Sequence, residues 1–267
     1  MWSRGDFSRI LGDRAVIGMV HLRPLPGAPL YGGSMAVVID AAMADARAIA
    51  AGGADALMVE NFGDRPFRRN AAGAETVSAM TAAIAAIRAE VPLPLGVNVL
   101  RNDGRSAMVI AAVTGASFIR VNVLVGAMLT DQGIVEGEAD AVARQRAMLR
   151  AEVAIFGDYL VKHAVPLAAY DPLQLAHDLR FRGLADAIVV SGRETGAAAD
   201  PERVRFVRDA VDAPVVVGSG LSAENAREYA ALADGAIVGS SIKQRGEVDA
   251  PVDRDRVAAI VERFKRG

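Results

Sequence analysis

Eight short apolar runs of strand length alternate along the chain with longer segments of helical period, and no other feature restricts the fold as much. The runs occupy residues 15–21, 54–61, 93–100, 117–123, 154–162, 186–192, 214–220 and 235–241. The intervening segments, 35–51, 74–89, 105–114, 139–152, 172–182, 201–212, 223–232 and 254–264, are rich in Ala, Arg and Glu and repeat apolar residues three and four apart. Eight β/α units predict an α/β fold closed as a single (β/α)8 barrel. No Pro/Ser-rich or low-complexity linker divides the 267 residues, so they read as one domain with 1–14 as a short N-terminal extension. Aromatic residues make up only 5% of the chain, so the core must be built from Ala, Val, Ile and Leu, which suits buried parallel strands.

The last two runs end in glycine and serine where a helix should begin: Gly218-Ser219-Gly220 and Gly239-Ser240-Ser241. Bare backbone N–H groups and hydroxyls at such strand ends form a cup for an anion. In a barrel these are the seventh and eighth strand ends, where phosphate is commonly gripped, so the pattern predicts a TIM barrel of the phosphate-binding type with a small phosphorylated substrate. Gly218, Gly220 and Ala223 also satisfy a dinucleotide fingerprint, but no acidic residue closes a following strand at the expected distance. Ser219 lies between adjacent glycines rather than in a nucleophile elbow, which favours a hydrogen bond to phosphate over a serine triad.

Polar residues in phase with the barrel interior must be paired or functional. Asn98, Arg120, Asn122, Asp158 and Lys162 share that phase, while His21 and Glu60 or Asn61 close the first two strands. Acid–base or carbonyl chemistry follows: a carboxylate near a cation stays ionised, and a desolvated lysine serves as base or Schiff-base nucleophile. Asp158, Lys162, His21 and Glu60 are the catalytic candidates. Asn61, Asn98, Arg120 and Asn122, with Ser191 and Thr195 from the glycine-flanked loop after the sixth run, are candidates for holding substrate. A charge network of Arg120, Asp158 and Lys162 that only fills the barrel is the alternative. His163 either orients Lys162 or simply leaves the strand, and His177 falls on a helix surface.

Two long connections, 21–33 and 124–137, follow strand ends and read as lids over the anion site. No cofactor is expected; HxH and HExxH are absent, and a divalent ion on Glu60 and Asp158 has no further support. The formal charge of −2 and pI near 6.0 offer no basic field for nucleic acid. The N-terminus lacks a signal-peptide apolar core and no apolar run reaches transmembrane length, so no transmembrane segment is expected. With no cysteine in the chain, a cytoplasmic location is expected. A homo-oligomer is compatible with the sequence.

The stretches Gly18-Met-Val-His21-Leu-Arg-Pro-Leu-Pro-Gly27, Val59-Glu60-Asn61-Phe-Gly-Asp64, Gly96-Val-Asn98-Val-Leu-Arg-Asn102-Asp103 and Phe118-Ile-Arg120-Val-Asn122 resemble the BtpA/SgcQ family. So do Asp158 with Lys162-His163-Ala164, Ser191-Gly192 with Thr195-Gly196, Gly218-Ser-Gly220 with Glu224-Asn225, and Gly239-Ser-Ser-Ile-Lys243. The resemblance spans about residues 16–257 and implies a phosphate-binding-type TIM barrel. It implies one of two functions: an enzyme of carbohydrate or nucleoside metabolism acting on a phosphorylated sugar or nucleoside-like molecule, or a non-catalytic factor for photosystem I or another membrane complex, peripherally associated with the membrane. Leu160 departs from the family pattern, where asparagine is common.

Overall fold

The computed structural model describes residues 1–69 and 71–267. Its strands, in chain order, are β1 (Ala15–His21), β2 (Ala56–Glu60), β3 (Leu95–Asn98), β4 (Phe118–Val121), β5 (Ala127–Thr130), β6 (Gly133–Glu136), β7 (Ala154–Tyr159), β8 (Ala164–Pro166), β9 (Ala187–Val190), β10 (Val215–Val217) and β11 (Gly235–Val238). Eight of them close a parallel barrel in the order β1-β11-β10-β9-β7-β4-β3-β2, the eight foreseen from the sequence. The remaining three, β6-β5-β8, form a small antiparallel sheet within the two connections that flank β7.

Around the barrel run α2 (Met35–Ala51), α3 (Ala74–Glu90), α4 (Gly104–Thr114), α5 (Ala139–Leu149), α6 (Pro172–His177), α7 (Pro201–Ala210), α8 (Ala226–Ala230) and α9 (Arg254–Lys265). Their starts follow from capping chemistry. Ser34, Asp103, Asp171, Asp200 and Asp253 each accept a first-turn backbone N–H, and Pro172 and Pro201 follow two of these caps directly. The segment expected as one helix over 172–182 is α6 continued by a π-turn at Asp178–Arg182.

Strand residues alternate between two apolar layers. One set, including Val16, Leu57, Val97, Ile119 and Val217, packs outward against the helices. The other set, including Ile17, Met19, Met58, Phe118, Phe156 and Val189, fills the lower barrel. Gly96 is required there, because a side chain at that position would enter the Phe118 ring, which stacks on Phe156 with centroids 4.6 Å apart.

The N-terminal extension is a helix, α1 (Arg4–Leu11), closed by a Ser3/Asp6 capping box. It presses the fully buried Phe7 against Phe156 and so plugs the bottom of the barrel. At the same end, a carboxylate preceding a strand repeatedly accepts a backbone N–H of the neighbouring strand. Asp55 takes the N–H of Val16, Asp186 that of Ile155 and Asp234 that of Val215, at 2.8–2.9 Å. These bonds stabilise the closed sheet at the end opposite the site.

Candidate active site

The upper layer of the barrel interior is polar. Arg120 donates two parallel bonds to Asp158, Nε to Oδ1 and Nη2 to Oδ2, each 2.8 Å long, and a longer one of 3.3 Å to Ser191 Oγ. Burial would weaken the charged guanidinium, but the Asp158 charge and hydrogen bonds outweigh it and push the Arg120 pKa up. Asn122 Nδ2 approaches the same carboxylate at 3.4 Å, and Asn98 Nδ2 donates to Glu60 Oε2 at 2.5 Å. Phase within the strands thus joins Glu60 to Asn98 and joins Arg120, Asn122, Asp158 and Ser191 into a second group. Asn122 Oδ1 is buried without a partner among the described residues.

Lys162 reaches this layer differently from the sequence reading. β7 stops at Tyr159 instead of running to 162, because Leu160 takes a left-handed φ of 59°. Lys162 therefore enters from a turn between Leu160 and His163, and His163 is also left-handed at φ 54°. The lysine lines the central cavity with Glu60 and Arg120. Burial, with help from the Arg120 charge, lowers its pKa to about 8, while Glu60 and Asp158 act in the opposite sense. Part of the lysine population is then the free amine near neutral pH.

His21 Nε2 lies 3.9 Å from Glu60 Oε1, and the ring stacks on Phe62 at 4.6 Å. Burial, then the charges of Lys243 and Lys162, push the His21 pKa down to about 3, so the imidazole is neutral. Among the described residues its buried Nδ1 has no partner at ordinary hydrogen-bond geometry, though the Val248 backbone favours the protonated ring.

The glycine loops after β10 and β11 close the same cavity from the other side: Gly218, Ser219, Gly220, Gly239, Ser240 and Ser241 line it together with His21, Glu60, Arg120, Lys162 and Thr195. Gly220 is needed twice over, by its φ of 71° and by the Ala197 backbone packed where a side chain would stand. Ser240–Ile242 forms a short 3-10 turn. Ile242 and Lys243 direct their N–H groups back to Gly239 and Ser240, and the first N–H groups of such a turn have no partner within it. This is a short extra helix beside the seventh and eighth barrel strands. Ser219 Oγ is already engaged, donating to Ala197 O at 3.1 Å and accepting from Gly192 N at 3.2 Å. Thr195 belongs to the same loop as Ala197 and is tied to His163: its backbone N–H donates to Nε2 at 3.2 Å, and Oγ1 lies 3.0 Å from that atom. The cavity these walls enclose measures about 30 Å³, room for one or two water molecules.

Asn61 stands apart from the group. It points away from the lumen, donating Nδ2 to Asp64 and accepting from the Leu100 N–H at 2.7 Å, and so joins the loops after β2 and β3. Among the described residues no three His, Asp or Glu side chains gather to hold a metal. His177, on α6, is half-buried and its Nε2 sits 3.2 Å from Ala210 O. Of the two expected lids, 124–137 folds into the β5–β6 hairpin, which packs over Val161 beside Lys162.

Three residues enter the site without having been singled out. Arg101 is buried and holds the Lys162 carbonyl through Nη2 at 2.8 Å. Phe62 supports the His21 ring. Lys243 is buried behind His21, its Nζ 2.5 Å from Asp45 Oδ2. Arg101, Phe62 and Lys243 lie outside the inward strand phase that exposed the others.

A profile of the BtpA family matches residues 12–266. An uncharacterized protein of Thermococcus kodakarensis is 48% identical over 260 residues, covering 97% of each chain. The photosystem I biogenesis protein BtpA of Synechocystis is 44% identical over 253 residues, covering 94% of this chain and 88% of that protein. Among solved structures, tryptophan synthase from M. tuberculosis superposes with a TM-score of 0.61 at 19% identity, covering 99% of this chain and 100% of that one. The (S)-3-O-geranylgeranylglyceryl phosphate synthase from Thermoplasma acidophilum, in complex with sn-glycerol-1-phosphate, gives 0.58 at 19% identity over 100% of both chains. These structural likenesses establish the TIM-barrel fold.

Proposed function

The chain belongs to the BtpA family, and from that premise we propose that it is an enzyme acting on a phosphorylated sugar or nucleoside-like molecule. The phosphate is held by Gly218–Gly220 and Gly239–Ser241, and acid–base or carbonyl chemistry is done at Lys162 and Glu60. The observation that carries this reading is the opening of both glycine loops onto the one cavity that also receives a lysine of lowered pKa. Several structural neighbours are named for phosphorylated compounds, including phosphoribosylanthranilate isomerase from Pyrococcus furiosus.

The roles differ by residue. Lys162, with a pKa of about 8, acts as base or as the amine that condenses with a carbonyl. Glu60, oriented by Asn98 and facing His21, shuttles the proton. Asp158 is bound on both oxygens by Arg120, so its part is to fix that guanidinium where Arg120 meets substrate oxygens, with Ser191 as a further support. Asn122 offers the free Oδ1 to a substrate hydroxyl, and Thr195 closes the cavity wall.

Calorimetry with a panel of sugar and nucleoside monophosphates, each beside its dephosphorylated form, tests the reading. Only phosphorylated members should bind, and Gly220→Ala should abolish that binding. Borohydride added with a carbonyl substrate should trap an adduct on Lys162 that Lys162→Ala lacks if the amine condenses. Failure of every phosphorylated compound to bind the wild type refutes the proposal.

The name of the Synechocystis relative favours a second reading, a non-catalytic factor for assembly of a membrane complex. No helix of the described residues is long and apolar enough to cross a membrane, so such a factor would dock at the membrane complex from outside. Affinity capture from the native source separates the two readings: a stable membrane-complex partner retained by Lys162→Ala supports the second, and none supports the first.

A further inference from the structure

The cavity is narrow, about 30 Å³, and on the function proposed above a wall that moves would admit a phosphate ester to it. The wall best placed to do so is the loop after β9. It contributes Thr195 and Gly196, and Gly196 is left-handed at φ 81° with Ser240 Oγ 3.2 Å from where a side chain would begin. Two kinds of tie hold this loop shut. One is Ser219 Oγ, bonded to Ala197 O and Gly192 N beside the anion cup. The other is His163, whose backbone N–H donates to Arg193 O at 3.0 Å and whose Nε2 accepts from Thr195 N–H.

His163 is the residue next to Lys162. The turn that carries the lysine is bracketed by Leu160 and His163, both non-glycine residues in the left-handed region. Such conformations persist only where surrounding contacts over-determine them. The contacts here are Val161, packed under the β5–β6 hairpin, the Arg101 bond to the Lys162 carbonyl, and the two bonds from His163 to the loop after β9. Opening the loop removes the last pair and leaves the turn held only by the Arg101 bond and the packing of Val161.

We propose that His163 is a positioning residue that couples closure of the loop 191–200 over bound phosphate to the seating of Lys162 in the cavity. Entry of the phosphate group displaces the loop, and reclosure with Thr195 back on His163 returns the lysine to its buried position. The reactive amine is thereby presented only when the anion cup is covered, which protects a carbonyl intermediate from water. The latch needs an unprotonated Nε2. Burial, then the charges of Lys162 and Arg101, lower the His163 pKa below the ordinary histidine value, while Asp131 and Glu194 act in the opposite sense. The latch therefore holds at neutral pH.

The test uses the full chain without substrate, so it stands even if no phosphorylated compound binds and the proposed function falls. His163→Ala, His163→Asn and the wild type are compared for hydrogen exchange over 191–200 and for the pH dependence of Lys162 acetylation, read by mass spectrometry. Asparagine tolerates the left-handed backbone and retains an acceptor. Wild-type acetylation should have its midpoint near the pKa of about 8. In His163→Ala the loop should exchange at least about tenfold faster and the midpoint should move toward the ordinary lysine value of about 10.4, slowing acetylation at pH 8 by about tenfold or more. His163→Asn should restore both. A midpoint unchanged in His163→Ala, with or without faster loop exchange, overturns the coupling, as does loop protection equal to wild type. Thr195→Val, which keeps the backbone N–H and removes the hydroxyl, should shift both readouts in the same direction by less. An equal or larger shift would place the latch in the hydroxyl and overturn the role given to the backbone bond.

Discussion

Replacing Asp158 by asparagine changes one atom and should destabilise the barrel severely. The Arg120 and Asp158 side chains are 2% and 0% exposed, and their two parallel bonds are 2.8 Å long. Asparagine keeps the shape but removes the charge, and it turns an amide N–H2 toward a guanidinium that can only donate. Removing one partner of a buried pair costs about 3–5 kcal/mol, because the remaining charge is left dry and unpaired. A domain's whole stability is about 5–15 kcal/mol, so the loss is a large fraction of it. Urea unfolding followed by far-ultraviolet dichroism should show the midpoint falling at an unchanged m-value. Replacing both partners, as in Arg120→Met with Asp158→Leu, should recover most of the loss, since an apolar pair of similar volume leaves no orphaned charge. A cost below about 1 kcal/mol for Asp158→Asn, or a double variant less stable than the single one, would mean that the pair is not the dry, mutually dependent unit described here.

Three further predictions concern Lys162 and the barrel floor. If Lys162 acts as the free amine, kcat/KM should rise about tenfold per pH unit below pH 8 and level off above it, and Lys162→Arg should abolish the rise because arginine stays protonated. The same lowered pKa destabilises the fold at low pH: between about 8 and the unfolded lysine value the unfolded chain binds the extra proton, so stability should increase with pH across that window, and Lys162→Met should flatten the increase. At the opposite end of the barrel, Phe7→Ala should cost about 3–5 kcal/mol in chemical unfolding by opening a cavity beneath Phe156. Ligand binding at the upper end should be unchanged, and a shift in affinity would show that the plug and the site are coupled.

The barrel was legible because each of its eight strands is a run of apolar residues long enough to stand out, and β1 and α2 begin and end where the periodicity changes. Inward phase was equally legible at Asn98, Arg120, Asn122 and Asp158, since a period of two is fixed by the strand itself. What escaped depends on contacts distant in sequence. The eight residues of α1 form too short a helix to show without the barrel floor that receives Phe7, and the strands of the β5–β6–β8 sheet are three or four residues long. Lys162 lies in the inward phase by count but lines the cavity from a left-handed turn, because the strand ends three positions earlier. Asn61 shows the reverse case: it sits one residue past the inward Glu60, and alternation turns it to the outer face. Arg101 and Phe62 come from loops, where no periodicity announces which way a side chain will face.

Diffraction from crystals of the wild-type chain grown or soaked with sulfate tests the anion cup directly. A sulfate should appear between the backbone N–H groups of Ser219–Gly220 and Ser240–Ser241, with the loop at Thr195 displaced to admit it. Sulfate bound elsewhere while this cavity stays closed would contradict the assignment of the cup, and with it the role given to the lysine beside it.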